Sequence, residues 1–168
     1  MAFNTFDASK ARQYRGWTNH PFLHKSGPMP WAACSVLDLS KIDKLILCSG
    51  ETGRDPETDR EPVGWEEQRA DVGKVVGGIK EQTTAAWTRI KETLDGVGAR
   101  MEDIVFVHYY LRDPNDRWDM WDATHEFFKK HAPLCTEDAR PATLLENIIL
   151  DLPKMLIEIE VIAVIPKK

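Results

Sequence analysis

From Met155 to Ile165 the chain alternates: Met155, Ile157, Ile159, Val161, Ala163 and Ile165 fall on one side and Glu158 and Glu160 on the other. A period of two is the signature of a strand, and it sets the two carboxylates about 6.5 to 7 Å apart along one sheet face. A charge buried in a strand is strongly unfavourable unless it is paired or put to use. That face is therefore wet, an active site, or an interface.

The pattern elsewhere predicts the remaining elements. Residues 77–98 read as a helix, with Ile79, Thr83, Ala86, Trp87, Ile90, Leu94 and Val97 at steps of three and four, and Gly96 and Gly98 as the stop. Residues 103–112 read as a strand with Val105, Val107, Tyr109 and Leu111 on one face and Phe106, His108 and Tyr110 on the other. Asp113-Pro114-Asn115-Asp116 is a turn and cap that opens a second helix at 117–131, with Trp118, Trp121, His125 and Phe128 on one stripe. Strands are expected at 32–39, 44–49, 140–149 and 154–165. Residues 1–30, punctuated by Pro and Gly, read as an extended irregular arm, and 51–76 as an inserted loop of functional length.

The order β-β-α-β-α-β-β predicts an α+β domain over 1–168, with both helices on one sheet face. The opposite face would carry Phe106, His108, Tyr110, Glu158 and Glu160, too apolar in part to stand open to water. A second copy covering it predicts a homo-oligomer with a site at its seam.

Composition narrows the function. The chain has 168 residues, is 42% apolar and 29% charged, and has a net charge of −5. It is an ordinary globular balance with no basic stripe, which argues against nucleic acid as partner. Three cysteines (Cys34, Cys48 and Cys135) form no CxxC pair, so a reducing compartment is expected. No apolar run reaches the length of a membrane span, and no leader pattern is seen, so no membrane partner is expected and the cytoplasm is the expected location.

Several side chains are candidates for chemistry. Arg140 precedes Pro141, which favours an extended backbone, and its planar fork suits a substrate carboxylate or an ion pair with Glu158 or Glu160. Glu158 is the candidate general acid or base, since partial burial raises a carboxyl pKa toward working pH. Ser49 and Gly50 end a strand, where a hydroxyl and free amides meet a ligand, and Trp31 can wall a pocket. His20 and His24 have helical metal spacing, but Pro21 lies between them and zinc is discounted. No phosphate loop, dinucleotide fingerprint or nucleophile elbow is present.

Leu47-Cys-Ser-Gly-Glu-Thr-Gly53, Gly78-Ile-Lys-Glu-Gln-Thr83, the helix 86–94 closing at Gly98-Ala99, and Met101-Glu-Asp-Ile-Val105 running into Tyr110-Leu-Arg-Asp113 follow one another in order. Ala139-Arg140-Pro141 and Ile157-Glu-Ile-Glu-Val-Ile-Ala163 complete the series. Together they resemble the Rid (YjgF) family of reactive-intermediate deaminases, also labelled L-PSP endoribonucleases. The resemblance implies a chorismate-mutase-like mixed β-sheet with two helices on one face, and a trimer built around the other. It implies hydrolysis of the enamine or imine of a small carboxylic acid to a keto acid and ammonia, without a cofactor. Arg140 falls on the carboxylate-binding arginine, Glu158 on the acidic residue that directs water or a proton, and Ser49 and Gly50 on the cleft lining. The chain departs from the family at Ala142, where a cysteine is common, and at Asp122, which replaces a pocket asparagine. Trp31 stands in for a pocket tyrosine. The remodelled pocket, longer arm and longer loop fit a member devoted to one catabolic intermediate, of the 2-aminomuconate type, as well as a general one. A noncatalytic small-carboxylate sensor is the alternative, and ribonuclease activity is the least expected.

Overall fold

The computed structural model describes residues 17–24, 27–55 and 75–167, with side-chain surroundings from Trp31 onward. The rest of the arm expected at 1–30, the side chains of His20 and His24, and residues 56–74 of the expected loop lie outside the described residues.

The main sheet is mixed, in the order β3-β7-β5-β6, with a two-residue strand β4 pairing β7 beyond the end of β3. Its strands are β3 (Ile42–Leu47), β4 (Glu51–Thr52), β5 (Ile104–Leu111), β6 (Ala142–Glu146) and β7 (Ile157–Pro166). β7 runs antiparallel to β3, β4 and β5, whereas β5 and β6 are parallel. A parallel pair needs a crossover, and helix α2 (Arg117–His131) with the short α3 (Pro133–Glu137) provides it.

Both long helices pack on one sheet face, as the alternation predicts. α1 (Ile79–Gly96) buries Ile79, Ala86, Trp87, Ile90 and Leu94 against Val107, Tyr109, Leu111, Ile157, Ile159, Val161 and Ala163. Trp87 lies at the centre of this layer. Its ring meets Phe128 edge-on at 4.7 Å and Tyr109 at 6.1 Å, and its Nε1–H donates to Thr124 Oγ1 at 3.0 Å. The polar end of the indole is thus satisfied where water is absent. α1 opens with Glu81 accepting from the Gly78 N–H at 2.9 Å. It closes at Gly98, whose φ of +80° is the left-handed conformation that glycine adopts without strain. Lys129, Lys130 and His131 occupy the last turn of α2, where positive charge complements the helix dipole.

Two elements differ from expectation. The strand expected at 32–39 is the second half of an antiparallel ribbon, β1 (Trp17–His24) with β2 (Gly27–Leu37), in which Trp17 pairs with Leu37. The arm expected to be irregular is in this part a hairpin. Pro21, Pro28 and Pro30 argue against strands inside a sheet because they lack an N–H, but a two-stranded ribbon has only edge strands, and the register shifts around Pro21. The ribbon is tied to the main sheet by the Ala32 N–H donating to the Arg140 carbonyl at 3.1 Å and by Ser35 Oγ donating to the Val105 carbonyl at 3.0 Å. The strand expected at 140–149 is shorter, because Asn147 takes a φ of 60° just after β6.

Candidate active site

The face of the sheet away from the helices is half-open. Cross-strand register sets Tyr110 opposite Glu158, His108 opposite Glu160, and Phe106 and Leu47 opposite Ile162. β6 adds Thr143 beside His108 and Leu145 beside Tyr110. Leu47 is 72% exposed and Leu45 is 61% exposed.

Glu158 sits where β3 gives way to β4. β3 ends at Leu47, Cys48 donates its N–H to the Val161 carbonyl at 3.1 Å, and Thr52 pairs with Glu158 itself. The chain between passes directly under the glutamate. A Cβ at Gly50 would stand 1.9 Å from Glu158 Oε1, so the carboxyl occupies space that any side chain at position 50 would fill. Ser49, just before, is exposed. Burial pushes the Glu158 carboxyl above its ordinary pKa, with the charges of Glu160, Asp151 and Glu51 adding to the effect.

Two further networks hold this corner. Gln82 is almost fully buried, and its side chain donates to the Lys154 carbonyl at 3.0 Å and accepts from the Leu156 N–H at 2.9 Å. It joins the first turn of α1 to the entrance of β7, and its packing leaves no room for a side chain at Gly53. Arg112 anchors the preceding loop, donating from Nη2 to the Leu152 carbonyl at 2.9 Å. On the open face, the Tyr110 hydroxyl donates to Glu160 Oε2 at 3.0 Å, and His108 Nδ1 stands 3.4 Å from the same oxygen. Burial and the neighbouring Glu160 together raise the Tyr110 phenol pKa, keeping it a donor.

Arg140 is elsewhere. Its guanidinium donates from Nε to the Ile104 carbonyl at 2.9 Å, from Nη2 to the Glu102 carbonyl at 2.9 Å, and from Nη1 to the Asp138 carbonyl. Its nearest carboxylate is Asp138, at 3.5 Å, rather than Glu158 or Glu160, and its side chain is 7% exposed. Ile104 and Tyr110 lie at opposite ends of β5, about 20 Å apart at strand rise. Within one chain, Arg140 and Glu158 therefore belong to different ends of the sheet. Trp31 precedes Ala32, so it belongs to the Arg140 end. Asp122 is exposed on α2, 4.0 Å from Lys80, in the helical layer across the sheet.

The structure thus brings Glu158, Gly50 and Ser49 together and leaves Arg140, Trp31 and Asp122 apart from them in the chain. Sequence reasoning gave Tyr110 and His108 no role with Glu160. The signal was their spacing of two on one strand and the matching spacing of Glu158 and Glu160 on another, but only the register joins the pairs. Among the described residues there is no cluster of three or more His, Cys, Asp or Glu able to hold a metal ion. No helix among them is long and apolar enough to cross a membrane.

Comparison with known proteins gives a consistent result. The family model described as endoribonuclease L-PSP matches residues 28–165. A RutC family protein of Pyrococcus abyssi is 34% identical over 124 residues, 73% of this chain and 80% of that protein. A 2-iminobutanoate/2-iminopropanoate deaminase of Dermatophagoides farinae is 34% identical over 93 residues, 55% of this chain and 62% of that one. Among solved structures, the Rid family protein YyfB of Yersinia pestis superposes with a TM-score of 0.61 at 18% identity, covering 89% of this chain and 99% of the other. The YjgF gene product of E. coli does so with a TM-score of 0.54 at 24% identity, covering 87% and 93%.

Proposed function

The chain belongs to the Rid/YjgF family, whose model is described as endoribonuclease L-PSP, and on that premise we propose that it hydrolyses the enamine or imine of a small carboxylic acid. The observation that carries this reading is Glu158, a carboxyl with its proton affinity raised by burial, lodged against the backbone of Gly50 on the open sheet face. A carboxyl whose proton affinity is raised in this way is suited to give up a proton and to take it back during one reaction. It protonates the enamine carbon, giving the iminium ion. As a carboxylate it then draws a proton from the water that adds to the C=N carbon. Glu158 returns that proton to the nitrogen of the carbinolamine and takes the one from its hydroxyl, so that ammonia leaves and the keto acid remains. The deaminase from Dermatophagoides farinae supports this chemistry as a family activity.

The substrate carboxylate needs a cation, and among the described residues neither Ser49 nor Gly50 beside Glu158 supplies it. We place that role on Arg140 of a neighbouring subunit, in a homotrimer closed around the open sheet face. The exposed Leu45 and Leu47 support burial of this face by other copies. In the assembly, the carbonyl bonds of Arg140 would hold the fork rigid for a ligand, and Trp31 would wall the same side. Ala142 and Asp122 depart from the family pattern, and a substrate of the 2-aminomuconate type is the finer form of the proposal. Ribonuclease chemistry is disfavoured, since Glu158 and Glu160 would repel a phosphodiester on the same face.

The test is the rate of ammonia appearance from freshly generated 2-aminoacrylate and 2-aminomuconate, with wild-type protein and with Arg140→Ala and Glu158→Gln. The expected result is acceleration by the wild type that both variants lose. An unchanged rate with both substrates would overturn the reading.

A further inference from the structure

On the open face of the sheet, one carboxylate has no place in the chemistry above and yet is carefully held. Glu160 receives the Tyr110 hydroxyl at 3.0 Å and has His108 Nδ1 at 3.4 Å from the same oxygen. Both partners come from β5, at the two positions opposite Glu160 and Glu158 in the register. The rings of His108 and Tyr110 are 6.2 Å apart, and Phe106 backs the imidazole at 4.7 Å, so the histidine is packed from one side with its Nδ1 turned to Glu160 at contact distance, without a hydrogen bond. Tyr110 also packs on the small cluster of Leu150, Leu152 and Met155 that ends the loop before β7. An unconstrained surface glutamate would swing into water and be screened. This one is held on the sheet beside Glu158, about one strand repeat away.

We propose that Tyr110 and His108 hold Glu160 as a fixed anion beside Glu158, and that this brace is a positioning device that sets the proton affinity of the Glu158 carboxyl. The inference rests on the assignment of Glu158 to proton transfer. The groups facing Glu158 are Glu160 on its own strand, Asp151 in the preceding loop, Glu51 on β4 and Tyr110 on β5, with Ser49 and Gly50 uncharged below it. Glu51 is paired with Arg89, whose Nε donates to it at 2.7 Å. Glu160 is thus the carboxylate beside Glu158 that a hydroxyl of another strand holds. Two like charges at this spacing on a half-buried face displace a titration by about half to one pH unit.

The sign is the same whichever way Glu158 works. A neighbouring anion favours the protonated carboxyl, so removing it lets the proton leave at lower pH. The experiment follows the Glu158 side-chain carboxyl by 13C NMR across pH in the full-length protein, wild type against Glu160→Gln, with Glu158→Gln assigning the resonance. The expected result is a Glu158 midpoint lower by about half to one pH unit in Glu160→Gln. Tyr110→Phe and His108→Ala should each lower it by less, since the carboxylate then has one partner and moves toward water. The pH profile of ammonia release should move its Glu158-dependent limb in the same direction, which a merely structural role would not do. A midpoint unchanged in Glu160→Gln overturns the brace. If Glu160→Gln fails to fold, unchanged midpoints in both Tyr110→Phe and His108→Ala overturn it instead. A shifted midpoint in a protein that releases no ammonia from any imine keeps the brace and discards the deaminase reading.

Discussion

The central strands β5 and β7 present two faces built from alternate residues of the same segments, and the two differ in every physical respect. Toward the helices stand Val107, Tyr109, Leu111, Ile157, Ile159, Val161 and Ala163, all buried around Trp87. Away from them stand Phe106, His108, Tyr110, Glu158, Glu160 and Ile162, each half-buried. The first face is dry, and within it the Trp87 indole N–H is bonded to the Thr124 hydroxyl. The second mixes carboxylates with apolar side chains in one plane, which no isolated domain needs for stability. One strand residue therefore serves the fold and its neighbour serves chemistry or assembly. This division holds only as long as the register holds, since a slip of one residue would exchange the faces.

Changes to single residues can break or sharpen this division. The largest effect is expected at Glu158→Gln, which should reduce ammonia release by about 10²- to 10⁴-fold in a steady-state assay while leaving urea unfolding within about 1 kcal/mol of wild type. Trp87→Ala on the other face should do the reverse. It should destabilise the fold by about 3–5 kcal/mol in denaturant titrations, with activity per folded molecule preserved. A Trp87→Ala protein of normal stability would show that the helix layer is not the structural face.

Arg140→Lys tests whether the arginine is a strut as well as a clamp. An ammonium cannot reproduce the planar fork that serves the Glu102, Ile104 and Asp138 carbonyls, so a loss of about 2 kcal/mol is expected on urea unfolding. Leu47→Glu places a charge on the exposed apolar edge of the open face. It should shift sedimentation toward smaller species with little change in far-UV circular dichroism, and an unchanged sedimentation profile would remove this face from the assembly. The smallest effect is a pH dependence of stability. The folded state raises the Glu158 pKa, so the folded state binds its proton more tightly and stability falls as pH rises from the ordinary carboxyl range through the raised value. Glu158→Gln should therefore be slightly more stable than wild type at neutral pH, with the difference closing in acid, as read by urea midpoints at the two pH values.

Much of this architecture is legible in the chain alone. α1 and α2 fall within a residue or two of their periodic patterns, and the alternation of β7 assigns each residue from Ile157 to Ala163 to its correct face. The turn at 113–116 before α2 is local chemistry, with the Asp113 side chain accepting from the Asn115 N–H at 2.9 Å, although Asp116 caps α2 without a side-chain hydrogen bond. The ribbon of β1 and the start of β2 was hidden because its prolines are acceptable only where a strand lies at an edge or a bulge, a fact about neighbours rather than about the segment. The environment of Arg140 was hidden for the same reason. Sequence offered Glu158 and Glu160 as its carboxylate partners, but two of the three carbonyls that engage it belong to a turn and a strand start nearly forty positions away.

Side-chain periodicity and residue type are properties of a segment, so the chain by itself determined the helices, the two-faced strands and the presence of unusual carboxylates in β7. Register, sheet order and the pairing of distant groups depend on which segments meet. Only the tertiary structure set β7 at the centre of the sheet, Gly50 beneath Glu158, Tyr110 and His108 on Glu160, and Arg140 at the far end from the carboxyl it was expected to serve. The physical reason is that a hydrogen bond or a charge pair acts over a few ångströms of space, whatever the distance along the chain.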